Sequence, residues 1–243
     1  MIKTNELKKN IMDLLEGQLN AYGFIRKKTY NMFIKTVDIN TIQTIGFPIA
    51  HYGLKNTLFL AVSLGIIYKK ERMLEMKLRN IKTSMPDYAN MWIGIQIGHL
   101  LPKNEYKEWH FSVDENIINE GYDMSNTIIQ YGLPFLNELS NKDNLIYGLE
   151  IGKYKGEPEF QLPVFYYLRG NTQRAFECID SYIQKFSTPE LEDYEIEILR
   201  KLAEENGEVY VEENRTLKYY LEFAENFRKM VEEDAEKTHE SNK

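Results

Sequence analysis

Two segments of alternating residues constrain the fold of this chain more than any other feature. In residues 57–68, every second residue from Leu58 to Tyr68 is bulky, and residues 90–100 repeat the alternation from Met91. A period of two is typical of β-strands, whose successive side chains point to opposite faces. Both segments are therefore predicted to be strands. Aromatic and β-branched residues predict two further strands at residues 29–37 and 40–47.

Most of the remaining chain has the spacing of helices. Residues 4–22 carry leucines and isoleucines at helical intervals and precede Gly23, a residue type that commonly ends helices. Helical spacing also dominates after residue 112 and includes a hairpin at residues 162–186, which turns at Gly170 and resembles one tetratricopeptide-type unit. Strands followed by helices, instead of alternating with them, indicate the α+β class.

The predicted architecture is an N-terminal helix plus an antiparallel β-sheet, followed by an all-helical C-terminal half. We expect a helix-plus-sheet domain at residues 1–112, a helical region at 113–236 packed on or beside it, and a polar tail at 237–243. One helix of the second half is expected to begin at Asp114 and to end near Gly132-Leu133-Pro134. The charged segment around Glu75 is expected to be a loop.

Composition excludes several classes of protein. The chain has 243 residues, of which 43% are hydrophobic, and this is enough to bury a sizeable core. Its single cysteine, Cys178, excludes an internal disulfide and therefore a disulfide-stapled secreted scaffold. The longest apolar run, residues 58–68, is much shorter than the roughly 20 residues of a transmembrane helix. We expect a cytoplasmic protein without membrane contact.

Charge is unevenly distributed along the sequence. Residues 1–82 carry 14 basic and 6 acidic residues, a net +8, whereas residues 189–236 carry 6 basic and 16 acidic residues, a net −10. An acidic cluster can steer a basic protein partner and speed its encounter. The candidate residues for such a partner surface are Glu190, Glu192, Asp193, Glu195 and Glu197.

A basic segment near the N-terminus suggests a weaker alternative. Arg26, Lys27 and Lys28 precede Tyr30 and Phe33, and cations beside aromatic rings are typical of surfaces that bind single-stranded nucleic acid. Cations at a strand end also protect sheet edges from aggregation, and the net charge of −7 opposes the approach of a polyanion. Nucleic acid is therefore the less favoured partner.

The two clearest strands each have one face of mostly small residues. If they are neighbours, Gly65, Gly94 and Gly98 leave space in which another group can approach the backbone. Either the first helix fills this space, or the face is a shallow groove suited to a peptide or small ligand. The candidate residues lining such a groove are Trp92, Gln96, His99, Trp109 and His110.

No set of residues in the sequence predicts a particular catalytic chemistry. The four histidines lack the i, i+4 spacing of a helical zinc site, and one cysteine excludes a cysteine-rich site, so we expect neither a metal nor a cofactor. A non-enzymatic protein is favoured on these grounds. The gathering of three or more titratable groups around one solvent-filled cavity would contradict this interpretation.

Several short motifs resemble a bacterial family known as domain of unknown function 4304. They are Gly23-Phe24-Ile25-Arg26-Lys27-Lys28, Ser63-Leu64-Gly65-Ile66, Ile97-Gly98-His99-Leu100-Leu101-Pro102, Trp109-His110 and Leu133-Pro134-Phe135-Leu136. The resemblance spans roughly residues 5–186 and implies a fold and a bacterial or phage source, but no established activity. The chain departs from the family pattern at His99, since family members usually carry a basic residue near this position.

Together these features favour a non-enzymatic protein-binding module, such as an immunity-type or other inhibitor in bacterial or phage conflict. One alternative is a small-ligand-binding protein or hydrolytic enzyme that uses a groove on the sheet. The other is single-stranded nucleic-acid binding through the basic N-terminal part.

Overall fold

The computed structural model describes residues 4–89, 91–112, 117–154, 156–187, 193–207 and 215–241, without the side chains of residues 193–196, 215 and 238–241. The chain divides into two compact units. The first lies within Met1–Met73 and Thr83–Pro158, and the second lies within Leu74–Lys82 and Glu159–Lys243. The expected boundary at residue 112 lies inside the first unit, which continues to Pro158.

The strands of the first unit form two antiparallel sheets. A five-stranded sheet has the order β1-β2-β3-β6-β7, and a three-stranded sheet has the order β4-β5-β8. The strands are β1 (Ile25–Lys27), β2 (Met32–Thr36), β3 (Thr41–Gly46), β4 (Ile49–Ala50), β5 (Thr57–Ala61), β6 (Ser63–Tyr68), β7 (Ile93–Gln96) and β8 (Glu108–Ser112).

Both of the clearest predicted strands are interrupted. Residues 57–68 pass from one sheet to the other at Val62, between β5 and β6. Residues 90–100 are a strand only in β7 and then form a 3₁₀ turn, Ile97–Leu100. The Ile97 N–H still donates to the Val62 carbonyl at 2.9 Å, in register with the β6–β7 ladder. One residue further on, the Gln96 side chain accepts the Gly98 N–H at 2.7 Å, and this local bond stabilises the turn in place of the ladder.

The helices of the described chain confirm the α+β class. They are α1 (Thr4–Leu19), α2 (Lys69–Leu78), α3 (Ile117–Thr127), α4 (Leu133–Leu139), α5 (Lys142–Glu150), α6 (Pro158–Leu168), α7 (Thr172–Ser187), α8 (Asp193–Glu205) and α9 (Arg215–Ser241). The first helix ends as predicted, through a 3₁₀ turn and then Gly23 at φ +83°. The predicted Asp114 cap lies outside the described residues.

Two local predictions are wrong. The segment around Glu75 is helical in α2, where the buried Glu75 carboxylate accepts from the Arg79 guanidinium at 2.6 Å, one helical turn away. The helix after residue 117 does not end near Leu133-Pro134. It passes through one π-helical turn, Ile128–Gly132, in which the Leu133 N–H donates to the carbonyl five residues back, and it continues as α4. Pro134 lies directly after the π-helical turn, at the beginning of α4.

The core of the first unit lies between the sheets and α1. Buried apolar residues from α1, from both sheets and from the α3–α4 helices form one cluster. Its members include Leu7, Ile11, Leu15, Phe33, Ile45, Leu58, Leu60, Val62, Leu64, Trp109, Phe111, Met124, Ile128 and Leu136. Apolar side chains of this size each contribute about 1.5–3 kcal/mol when fully buried, so this cluster is the main source of the unit's stability.

The second unit is helical and has its own aromatic core. Residues of α6, α7 and α9, with Leu78 of α2, form this core, and Phe160, Tyr220, Phe223 and Phe227 are its largest members. The predicted hairpin is confirmed, because α6 and α7 are joined at Gly170, which has φ +78°. Helix α9 continues through the predicted polar tail as far as Ser241. Among the described residues, no helix is both long and apolar enough to cross a bilayer.

The small-residue face of β6 and β7 is covered by Met91. The strands are neighbours, with Gly65 opposite Gly94. A Cβ atom built on Gly65 would lie 2.0 Å from Met91 Cγ, and one on Gly94 would lie 2.2 Å from Met91 Sδ. Neither expected alternative is therefore correct at this pair, since a side chain from the residues before β7 occupies the space in place of a helix or a ligand.

This contact predicts that Gly65→Ala destabilises the protein. The added methyl group would overlap Met91 and approach the Ile93 carbonyl to 2.8 Å, so we expect a loss of about 1–3 kcal/mol in the free energy of unfolding, measured by urea denaturation. The matched control is Gly17→Ala in α1, which has no atom within 4 Å of the new Cβ and should stabilise by about 0.5–1 kcal/mol. Equal stability of the Gly65 variant and the parent would contradict the packing described.

Candidate functional site

A cleft of about 700 Å³ lies in the first unit, between the loop that joins β7 to β8 and the helices α3–α4. We call the segment Leu101–Lys107 the cleft loop. It forms one wall with Glu108, while α3 and the π-helical turn form the other. The lining residues are Leu101, Pro102, Lys103, Glu105, Tyr106, Lys107, Glu108, Asp123, Thr127, Gln130 and Tyr131.

Gln96 closes the base of the cleft loop. Its side-chain amide donates to the Lys107 carbonyl, and its side-chain oxygen accepts from the Gly98 N–H. A Cβ atom on Gly98 would lie 2.1 Å from the Glu105 carbonyl, so only glycine allows the two ends of the loop to approach so closely. Gln96 was predicted as a groove residue, and its role is to hold the wall of the cleft.

The start of the loop is fixed by a second polar contact. His99 Nδ1 lies 3.2 Å from Asn104 Oδ1, and the Asn104 N–H donates to the Leu101 carbonyl at 2.8 Å. Asn104 has φ +50°, a left-handed conformation that asparagine adopts more readily than most residues. His99 therefore stabilises a turn beside the cleft and does not line it.

Trp109 joins the two walls. Its indole Nε1–H donates to Asp123 Oδ2 at 2.7 Å, across the space between β8 and α3. Lys107 Nζ lies 3.3 Å from the same oxygen and 4.5 Å from the centre of the indole ring. These three side chains place a cation and a carboxylate together at the cleft surface, with the aromatic ring beneath the cation.

Glu108 accepts hydrogen bonds from two tyrosines. The Tyr52 hydroxyl lies 2.9 Å and 3.1 Å from its two carboxylate oxygens, and the Tyr106 hydroxyl donates to Oε1 at 2.8 Å. Partial burial and the Glu108 carboxylate raise the pKa of Tyr106 to about 12, and the bond to Glu108 also raises the pKa of Tyr52. Both hydroxyls therefore keep their protons at neutral pH and act as donors.

The cleft gathers more titratable groups than the sequence led us to expect. Lys103, Lys107, Glu105, Glu108, Tyr106 and Asp123 all line it. Residues 101–123 come from three elements that only the fold brings together, so the expectation that such groups do not converge is wrong at this place. The lack of a converging set therefore no longer argues against an enzyme, and the pairing and protonation of these groups must distinguish binding from catalysis. Over the described ranges, the lining holds no histidine, cysteine or serine, and no cluster of three metal-ligating side chains occurs.

Two other predicted groove residues lie elsewhere. Trp92 is buried with its ring edge-to-face against Tyr68, 6.4 Å between ring centres. His110 stacks on Phe59 at 5.0 Å, on the face of β8 opposite to Trp109. The five predicted residues do not form one groove, and none of them lines the cleft. Gln96 and His99 contact the cleft loop, and Trp109 bonds to Asp123. The sequence analysis did not predict Asp123, Gln130 or Tyr131 as site residues. They lie in a segment expected to be a helix that ends near residues 132–134, and no motif there marked their side chains as functional.

The basic segment is divided between different contacts. The Arg26 side chain is only 9% exposed, and its guanidinium lies 2.6 Å from Asp13 and 3.3 Å from Glu16 of α1. Lys27 Nζ lies 5.2 Å from the centre of the Tyr88 ring, and Lys28 is exposed at the start of a 3₁₀ turn. Because two carboxylates offset the Arg26 charge, the segment offers a phosphate backbone less positive charge than its sequence suggests.

Most of the predicted acidic partner surface cannot be placed. Glu190 and Glu192 lie outside the described residues, and so do the side chains of Asp193 and Glu195, which belong to α8. Glu197 is described, and it lies 3.5 Å from Lys201 in an exposed pair. Such exposed pairs contribute about 0–1 kcal/mol and leave both side chains accessible.

Comparisons with known proteins add no relative. No family model matches the chain, and neither a curated protein nor a solved structure is similar enough to count as a match. The resemblance to domain of unknown function 4304 therefore stays a prediction.

The ion pairs of Asp13 predict a pH effect. Hydrogen bonds from Lys9 and Arg26 hold the pKa of Asp13 below its usual value. The stabilisation is therefore present above the unfolded-state pKa of about 3.9 and is lost as the pH falls through the lower folded-state pKa. Between about pH 5 and pH 2, urea denaturation should show a steeper loss of stability for the parent than for Asp13→Asn. The exposed control Glu205→Gln should follow the parent, and equal slopes for parent and Asp13→Asn would contradict the assignment.

The role of Gln96 predicts the behaviour of Gln96→Leu. Without the side-chain amide, the Gly98 N–H and Lys107 carbonyl lose a partner, so we expect a loss of about 1–3 kcal/mol in unfolding free energy. Amide hydrogen exchange in residues 98–107 should accelerate. Gln173→Leu, at an exposed helix position, is the control and should change stability by less than about 0.5 kcal/mol. Unchanged exchange in the loop of the Gln96 variant would show that another contact holds it.

Proposed function

We propose that this chain is a binding protein that holds a small polar ligand in the cleft of its first unit. The observation that carries this proposal is the cleft itself, which combines a volume of about 700 Å³ with charged, hydroxyl and amide side chains from two walls. Ligand pockets for small molecules typically measure about 300–1,000 Å³ and place a few polar groups around the ligand.

The arrangement of the charged groups supports binding in preference to catalysis. Asp123 is held by Trp109 and Lys107, and Glu108 is held by two tyrosine hydroxyls. General acid–base catalysis needs a group whose pKa lies near the working pH, and the raised pKa of Tyr106, about 12, is far from it. The Tyr106 hydroxyl is therefore suited to donating a hydrogen bond and not to acting as a base at neutral pH.

The second wall supplies polar groups that are available to a ligand. Gln130 and Tyr131 belong to the π-helical turn, and no residue in the described ranges forms a hydrogen bond with the side chain of either. Single π-helical turns inside helices occur frequently at functional sites, where the extra residue redirects side chains. An amide and a phenol directed into a concave surface favour a small ligand over a flat protein surface.

The other hypotheses remain proposals with less support. Binding of a basic protein, as an immunity-type inhibitor in bacterial or phage conflict would do, depends on acidic residues that are mostly outside the described ranges. Binding of single-stranded nucleic acid depends on three cations, one of which, Arg26, is held by Asp13 and Glu16. The cleft carries a more complete set of described side chains than either surface.

The proposal is tested by titrating a set of small polar fragments into ¹⁵N-labelled full-length protein and following amide shifts by NMR. We expect saturable shifts in residues 98–108 and 123–131. Gln130→Trp, which fills the cleft from an exposed position, should abolish them, while Gln173→Trp, at an exposed position outside the cleft, should not. Both variants are first checked for parental thermal unfolding. Fragments that shift no cleft amide, or that bind the Gln130 variant equally, would overturn the proposal.

A further inference from the structure

We infer that the ligand of the cleft is a zwitterion of the amino-acid type, namely a short peptide or amino acid with a free ammonium and a free carboxylate. This inference rests on the proposed function and specifies its ligand class. It comes from the charges that line the cleft, which are of both signs. Lys103 and Lys107 supply two cations, and Glu105, Glu108 and Asp123 supply three carboxylates.

The charges are paired with one another in ways that a ligand can replace. Lys103 Nζ lies 3.7 Å from Glu105, and these side chains are 82% and 65% exposed. Lys107 and Asp123 lie 3.3 Å apart and are also reached by solvent, with exposures of 32% and 58%. Ion pairs at such exposure are worth about 0–1 kcal/mol each, so exchanging their partners costs little.

A ligand of a single charge does not satisfy the Lys107–Asp123 pair. An anion that takes Lys107 would approach Asp123 on the same side and be repelled by it, since Asp123 now neutralises Lys107 at 3.3 Å. A cation that takes Asp123 would meet Lys107 in the same way. A zwitterion places its carboxylate on Lys107 and its ammonium on Asp123, so that both members of this pair keep a partner of opposite sign.

The uncharged part of the lining fits the remainder of such a ligand. Leu101 and Pro102 offer apolar contact, and the rings of Tyr106 and Tyr131 offer aromatic contact to a side chain. The Gln130 amide can donate to and accept from a peptide group. A volume of about 700 Å³ leaves room for a dipeptide in addition to its two terminal charges.

The test uses the dipeptide Ala-Phe, its N-acetyl form and its C-terminal amide, each titrated into the ¹⁵N-labelled full-length protein. We expect Ala-Phe to shift cleft amides saturably and each capped form to bind about tenfold more weakly, as expected for the loss of one charge-assisted contact. Lys107→Gln removes the expected partner of the ligand carboxylate. In this variant the affinity of the C-terminal amide should therefore be less than about twofold below that of Ala-Phe. Asp123→Asn removes the expected partner of the ligand ammonium but keeps an acceptor for Trp109. In this variant the affinity of the N-acetyl form should be less than about twofold below that of Ala-Phe.

The control is Lys55→Gln, at an exposed position outside the cleft lining. In this variant the N-acetyl form and the C-terminal amide should each still bind about tenfold more weakly than Ala-Phe. If capped and uncapped dipeptides bind the cleft equally, the zwitterion inference is overturned while the proposed function stands. The same conclusion follows if other polar fragments bind the cleft and no dipeptide does, or if dipeptides shift only amides elsewhere. If neither dipeptides nor fragments shift any cleft amide, both the inference and the proposed function are overturned.

Discussion

A row of buried side chains on one continuous segment connects the two sheets of the first unit. Leu58 and Leu60 lie on β5, Leu64 lies on β6, and Val62 lies at the residue where the chain passes between the sheets. All four are essentially inaccessible and belong to the same core cluster as α1. The chain can therefore leave one hydrogen-bonded ladder and enter another without exposing its apolar side, and the position of the strands around it follows from this row.

The cleft depends on the same transition. The chain leaves the five-stranded sheet just after the Ile97–Val62 hydrogen bond and must then reach β8 in the other sheet. The cleft loop makes that connection, and Gln96 closes it at its base. The wall opposite is a helix that contains a π-helical turn, to which Gln130 and Tyr131 of the lining belong. The passage of the chain between the two sheets thus places the cleft loop beside the helical wall.

Paired charges are the common property of the cleft surface. Asp123 is shared by an indole and an ammonium, and Glu108 is shared by two phenols. Such pairs hold side chains in place at little cost while they remain exchangeable with a ligand. The pKa of Tyr106, raised to about 12, keeps the hydroxyl as a donor over the physiological range. This combination of fixed position and weak internal pairing is what a reversible binding site requires.

The sequence by itself determined the α+β class, the end of α1 at Gly23 and the helical hairpin at Gly170, since each depends on local periodicity or glycine conformation. It also predicted Gln96, His99 and Trp109 as groove residues, but none of the three lines the cleft. Only the tertiary structure decided that Met91 covers the glycine face, that residues 57–68 divide between two sheets, and that Asp123 and Tyr131 face the cleft loop. These outcomes depend on contacts between residues distant in sequence, and periodicity holds no information about which side chain fills a given space.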